Sequence, residues 1–368
     1  SSWICDFSII FLCLSIVNHK SIKMKKALFI LLLLVFNFSF AQSEDFMNEK
    51  IDKESKVALD ALLNAVPGGF NSIKDVVERR NFTNELFKSM MGSEINPNVI
   101  ISDYKVKSLY KVPGLNDAPE IKLRVYTPKN TLKTNPGIYY IHGGGMIIGS
   151  IQGEEGNAIA LALELNAIVV SVEYRLAPEN PYPAAVEDCY SGLIWMAKNS
   201  KKLKIDSERI AIYGGSAGGG LTIATSMMAR DNNFPKVCFQ MPLYPMIDDR
   251  NISFSSHQIT NVGIWDREAN IEAWNWYLGG KEANEYAAPA RAKYLNNLPP
   301  TFIDVGDADL FRDEDIQFVK NLIQAGVETE FHLYPGAFHA SEILAPEATL
   351  SKKIWKTRYD ALNKALYP

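Results

Sequence analysis

Apolar residues recur along this chain with two different spacings, and the switch between them lays out the elements. Over residues 44–91, Ile51, Ala58, Leu62, Ala65 and Val66 fall near the helical repeat until Pro67-Gly68-Gly69 interrupts it. Val76, Val77, Leu86, Phe87 and Met90 predict one or two further helices. Segments 99–111 and 120–127 then read as strands. In the second, Ile121, Leu123 and Val125 alternate with Lys122, Arg124 and Tyr126, as in a half-buried strand. Pro113-Gly114 and Asn116-Asp117 supply the turn between them. Beyond residue 138, short and nearly continuous apolar runs alternate with helical patterns. Strands are expected at 138–141, 167–174, 209–213, 237–243, 301–305 and 329–334. Helices are expected at 153–164, 182–199, 221–230, 313–324 and 350–366. The alternation predicts an α/β fold with a mostly parallel central sheet and helices on both faces. Segment 247–280 breaks it, polar at first and then aromatic, with Trp265, Trp274, Trp276 and Tyr277. Packed beside the helices of about 44–95, it is expected to complete a helical cap.

The start of the chain has its own pattern. Met24-Lys25-Lys26 precedes an apolar block at 27–36, followed by Phe38-Ser39-Phe40-Ala41-Gln42. A charged n-region, a short h-region and a small-residue cleavage site read as a signal peptide at 24–41. The block is short for a membrane span, and no cysteine follows it to take a lipid. An exported product, periplasmic or secreted, is expected, with no stable membrane insertion after signal removal. Residues 1–23 carry a second apolar run and read as a non-native upstream extension, with Met24 the start and 42–368 a single domain.

The whole chain has 38 basic and 42 acidic side chains. Residues 1–41 hold Lys20, Lys23, Lys25, Lys26 and Asp6, which leaves 34 against 41 and a formal charge of −7. That balance argues against nucleic acid or an anionic membrane as partner. Only Cys189 and Cys238 remain, and a core this large needs no disulfide, so two buried thiols are expected.

Candidate chemistry centres on Ile210-Ala211-Ile212-Tyr213-Gly214-Gly215-Ser216-Ala217-Gly218, an apolar strand that ends in G-x-S-x-G. Glycines permit a strained strand-to-helix turn that exposes the Ser216 hydroxyl and aims the Ala217 N–H at whatever it attacks. A serine needs a base. In this version of the motif an acid and then a histidine follow the serine in the chain. His332 lies within the expected strand 329–334, whereas His339 lies in the loop leaving it, where the catalytic groups of parallel sheets gather. The acid follows strand 301–305, and spacing leaves Asp307, Asp309 and Asp313 in play. His142-Gly143-Gly144-Gly145, after strand 138–141, offers backbone N–H donors to an oxyanion.

With these pieces in place, the chain resembles the hormone-sensitive-lipase-like esterases (bacterial family IV) of the α/β-hydrolase fold. The resemblance is carried by His142-Gly143-Gly144-Gly145, Tyr174-Arg175-Leu176-Ala177-Pro178-Glu179, Tyr182-Pro183-Ala184-Ala185 and Gly214-Gly215-Ser216-Ala217-Gly218-Gly219. It continues in Asp309-Leu310-Phe311-Arg312-Asp313-Glu314 and Gly336-Ala337-Phe338-His339. It implies a triad of Ser216, Asp309 and His339, oxyanion donors on Gly144, Gly145 and Ala217, and a bracing role for His142. It implies a small-molecule ester as substrate and no metal or organic cofactor, and it leaves room for a homodimer. The chain departs from the family pattern at Gly215, where Asp is common, at Leu310, where Pro is usual, and at Ala340, where Gly is usual. A non-catalytic ligand-binding relative and a serine peptidase on the same fold are the rival readings.

Overall fold

Eight strands form one sheet in the order β1-β2-β4-β3-β5-β6-β7-β8. They are β1 Val99–Lys107, β2 Glu120–Pro128, β3 Asn135–Ile141, β4 Ile168–Glu173, β5 Ile205–Gly215, β6 Phe239–Leu243, β7 Thr301–Ala308 and β8 Thr329–Phe338. The computed structural model describes residues 49–91, 96–109, 118–262 and 264–368. The expected signal peptide, the upstream extension and the 113–117 turn lie outside the described residues. β1 and β2 pair antiparallel, as do β2 and β4, and every other pairing is parallel.

Every residue of β3 and of β6 is buried, which accounts for their unbroken apolar patterns. One face of the sheet packs Ile138, Tyr140, Val169 and Ala211 against helices α3 (Glu155–Glu164) and α10 (Thr349–Leu366). The other face packs Ile303 against Ile223 and Met227 of α5 (Ala217–Asp231), and against Phe318 and Leu322 of α8 (Arg312–Gln324). Helix α4 (Ala184–Lys198) lies on this second face, where Tyr139 donates its hydroxyl to the Cys189 carbonyl at 2.7 Å. Ahead of the sheet come α1 (Lys53–Ala65) and α2 (Val76–Met91). Helices α6 (Phe254–Gln258) and α7 (Arg267–Leu278) occupy the segment that breaks the alternation, and α9 (Ser341–Leu344) follows β8.

The elements differ from the sequence expectation chiefly at their ends. Helix α5 begins at Ala217 rather than 221, because Gly218, Gly219 and Gly220 have no side chains to carry a periodic signal. Strand β8 runs past Pro335-Gly336, which read as a stop. A register shift between Gly306 and Ala308 accommodates them, and Asp307 Oδ1 accepts the Gly336 N–H at 2.7 Å. Strand β2 is buried on both faces at its far end. Tyr126 is fully buried, and Arg124 pairs with Glu155 of α3 at 2.8 Å and with Asp103 of β1 at 2.7 Å. Cys189 is buried as expected, Cys238 is only partly so, and both are free thiols.

A buried charge cluster fastens the C-terminal helix to the sheet. Arg358 of α10 donates to Asp304 of β7 at 2.7 and 3.1 Å and to Glu342 of α9 at 2.7 Å. All three side chains are at most 2% exposed. Breaking such a pair strands a charge in low dielectric, which costs about 3–5 kcal/mol. Arg358→Met leaves two carboxylates facing each other and is expected to lose stability on that scale, read from the shift of the urea unfolding midpoint.

Candidate active site

The sheet and α5 meet at a single residue. β5 ends at Gly215, α5 begins at Ala217, and Ser216 makes the turn between them with φ 56° and ψ −121°. Such a backbone costs a residue with a side chain about 1–3 kcal/mol, so it persists only when its surroundings hold it. The Ser216 N–H donates to the Leu243 carbonyl at 2.9 Å, and its own carbonyl accepts the N–H groups of Gly220 and Met246, both at 3.0 Å. Gly218 is required by close approach, since a methyl group there would overlap the Ile141 carbonyl oxygen.

Three side chains that lie far apart in the chain converge at this turn. His339 Nε2 lies 3.0 Å from Ser216 Oγ, and His339 Nδ1 lies 2.8 Å from Asp309 Oδ2. All three residues are buried: Ser216 is 7% exposed, His339 6% and Asp309 0%. The imidazole is wedged edge-on between the rings of Tyr244 and Phe311, at centroid distances of 4.9 and 5.2 Å. The Phe311 N–H fixes the other Asp309 oxygen at 2.9 Å. Of the three acids that spacing left open, Asp309 is the one placed beside the imidazole. Asp307 is engaged with Gly336, and Asp313 with Arg312 and the Ser255 N–H. His332 lies on β8 beside Glu330, stacked between Phe302 and Tyr334.

The loop after β3 carries the two glycines expected as oxyanion donors. Gly144 and Gly145 have φ of 104° and 61°. Among the described hydrogen bonds, none uses the N–H of Gly144, Gly145 or Ala217, whereas the Gly143 N–H donates to Glu154 Oε1 at 2.8 Å. His142 braces the loop: its Nδ1 donates to the Gly143 carbonyl at 2.9 Å and its ring stacks on Tyr174 at 4.1 Å. Burial pulls its pKa down to about 4, so it stays neutral near neutrality. The indole of Trp265 packs against Gly145, where any β-carbon would collide with it.

The structure also accounts for two of the departures from the family pattern. A β-carbon on Gly215 would stand 3.2 to 3.4 Å from the Tyr244 ring, so this ring takes the space beside Gly215. Ala340 has φ 56°, the left-handed conformation that explains why glycine is usual there. Leu310 is fully buried, and nothing in the structure explains its preference over proline.

A cavity of about 90 Å³ opens on Ser216 and His339. Phe70 of the single helical turn Phe70–Ser72, Phe87 of α2, and Ile264 and Trp265 of the 247–280 segment line one side of it, and Tyr140, Tyr213 and Leu243 of the sheet line another. Glu154 and Trp355 also line it. Sequence reasoning passed over Tyr244, Glu154 and Trp355. Tyr244 and Trp355 sit in no motif, and the only trace of Glu154 is a glutamate at a helix start, where Ser, Thr, Asp or Asn is the better cap. Burial pushes the Glu154 carboxyl up, against the hydrogen bonds from Tyr140 and Gly143.

The family model described as the alpha/beta hydrolase fold matches residues 138–342, from β3 to the helix that follows His339. The chain belongs to the hormone-sensitive-lipase-like branch of this family. Carboxylesterase NlhH of Mycobacterium tuberculosis is 32% identical over 291 residues, covering 77% of this chain and 90% of that protein. An arylesterase of Saccharolobus solfataricus is 33% identical over 225 residues, covering 60% of this chain and 72% of its own length. Among solved structures, a bacterial heroin esterase superposes with a TM-score of 0.80 at 34% identity, covering 87% of this chain and 99% of that one. An α/β hydrolase depends on the amides beside its nucleophile. Gly145→Ala is therefore expected to push the Trp265 indole aside and lower kcat/KM toward a short-chain ester about 100-fold. A steady-state assay beside a matched thermal melt separates this from unfolding.

Proposed function

We propose that this chain is a serine carboxylesterase that hydrolyses short- to medium-chain acyl esters through an acyl-enzyme intermediate. The hydrogen-bonded line from Ser216 through His339 to Asp309, in a cavity that Gly144 also lines, carries the reading. His339 Nε2 takes the Ser216 proton as Oγ attacks the ester carbonyl. Asp309 holds the imidazole by Nδ1–H and stabilises the imidazolium. The N–H groups of Gly144, Gly145 and Ala217 receive the developing oxyanion. His339 returns its proton to the departing alcohol, leaving Ser216 acylated. Water, deprotonated by the same imidazole, then cleaves the acyl group as a carboxylic acid. The step needs no metal or organic cofactor.

The substrate is a small ester. The cavity's apolar walls suit a short or medium acyl group, and the turn Phe70–Ser72, α2 and the 247–280 segment serve as the cap that shapes it. The pattern at 24–41 marks the chain for export to the periplasm or the exterior. Among the described residues, no helix is long and apolar enough to cross a membrane.

Ser216→Ala is expected to lower turnover by several orders of magnitude, to abolish labelling by a fluorophosphonate probe, and to leave the circular dichroism spectrum unchanged. Near-full hydrolysis by that variant would reject the assignment. Asp309→Asn is expected to lower kcat about 10⁴-fold, whereas Asp307→Asn stays within about tenfold of the parent. The reverse order would move the acid to Asp307. Across a series of acyl esters, kcat/KM is expected to peak at short to medium chains and fall beyond them.

A further inference from the structure

The cavity holds one acidic side chain that the reaction above does not use. Glu154 stands at the N-cap position of α3, yet its side chain makes no cap hydrogen bond. Its carboxylate turns instead toward the cavity that also contains Ser216 and His339. Oε1 accepts the Gly143 N–H at 2.8 Å and Oε2 accepts the Tyr140 hydroxyl at 2.5 Å. Among the described residues, no lysine or arginine lines the cavity and Glu154 is its only carboxylate. The start of α3 lends this anion favourable dipole, but no protein cation neutralises it from within the cavity.

The surrounding wall is aromatic. Tyr140 and Tyr213 stack at 5.1 Å, and Tyr244 and Trp355 continue the wall. Arg358 lies behind those last two rings, at 5.4 and 5.1 Å from their centroids, but it is matched by Asp304 and Glu342 and brings no surplus positive charge. A carboxylate whose oxygens already accept hydrogen bonds has charge to offer more than direction. Aromatic faces likewise attract a cation without directional bonds.

We propose that the esters this site prefers carry an ammonium group, tertiary or quaternary, seated between the Glu154 carboxylate and the aromatic wall. The inference rests on the esterase reading and assigns Glu154 as its specificity-determining residue. A glutamate serving only to anchor the Gly143 loop is replaceable by glutamine, whose Oε1 accepts the same N–H. A glutamate that recognises a cation is not.

Two matched pairs test it. One is choline acetate and its uncharged carbon isostere, with the cation on the alcohol side. The other is the ethyl ester of trimethylammoniobutyrate and its carbon isostere, with the cation on the acyl side. In at least one pair, kcat/KM for the ammonium ester is expected to exceed that for the isostere about tenfold or more. Glu154→Gln is expected to bring that ratio close to one. Because the readout is a ratio on one protein, partial loss of folded enzyme cancels. Competitive inhibition of the unmodified enzyme by tetramethylammonium, but not by neopentyl alcohol, gives a second measurement that needs no variant. Ratios near one in both pairs, a ratio that persists in Glu154→Gln, or equal inhibition by the two probes would each overturn the inference while leaving an active esterase. Failure to hydrolyse all four esters would overturn the esterase reading itself, and this inference with it.

Discussion

The close approach of helix α5 to the ends of β3, β5 and β6 is the constraint on which the site depends. A helix of ordinary residues stands off from a sheet by the thickness of its side chains. Here Gly218 brings the α5 backbone against the Ile141 carbonyl, and Gly220 brings it against Met246. The chain then has one residue, Ser216, in which to turn from strand to helix, and that residue takes a left-handed φ. The hydroxyl stands proud of the sheet because no other direction is open to it. His339 and Asp309 reach it from the ends of β8 and β7, so sheet order sets their separation.

Much of this is legible in the residues alone. Near-continuous apolar strands report burial on both faces, and their alternation with helical patterns reports parallel pairing. Ser216 and His339 were readable because each ends a recognisable strand. The acid was not readable from spacing. Asp307, Asp309 and Asp313 sit on one short stretch, and the curl of the chain after β7 decides which faces the imidazole. That curl depends on contacts with the Gly336 and Ser255 N–H groups, both distant in sequence. Element ends differ from the sequence pattern for local reasons. Glycines erased the first turn of α5, and a proline-glycine pair hid the continuation of β8.

What the sequence withheld altogether is the supporting cast around the imidazole and the cavity. Asp304, Glu342 and Arg358 come from three separate elements and Tyr244 from the loop after β6, and they join in one buried cluster. Tyr244 donates to Glu342 at 2.7 Å while its ring packs at a steep angle against that of His339. No periodicity announces such a cluster, because each member looks like an isolated polar residue in an otherwise ordinary stretch. The replacement at Gly215 makes sense only in this context. A larger residue there would press on Tyr244, and through it on the imidazole.

The indole resting on Gly145 has a further consequence. Trp265 is held by its own hydrogen bond to Asn270 of α7, at 3.0 Å, so one side chain both lines the cavity and packs against the Gly145 peptide. Under the proposed function, a guest bulky enough to displace this indole would also disturb the Gly145 peptide, which ties the width of the cavity to the order of that loop.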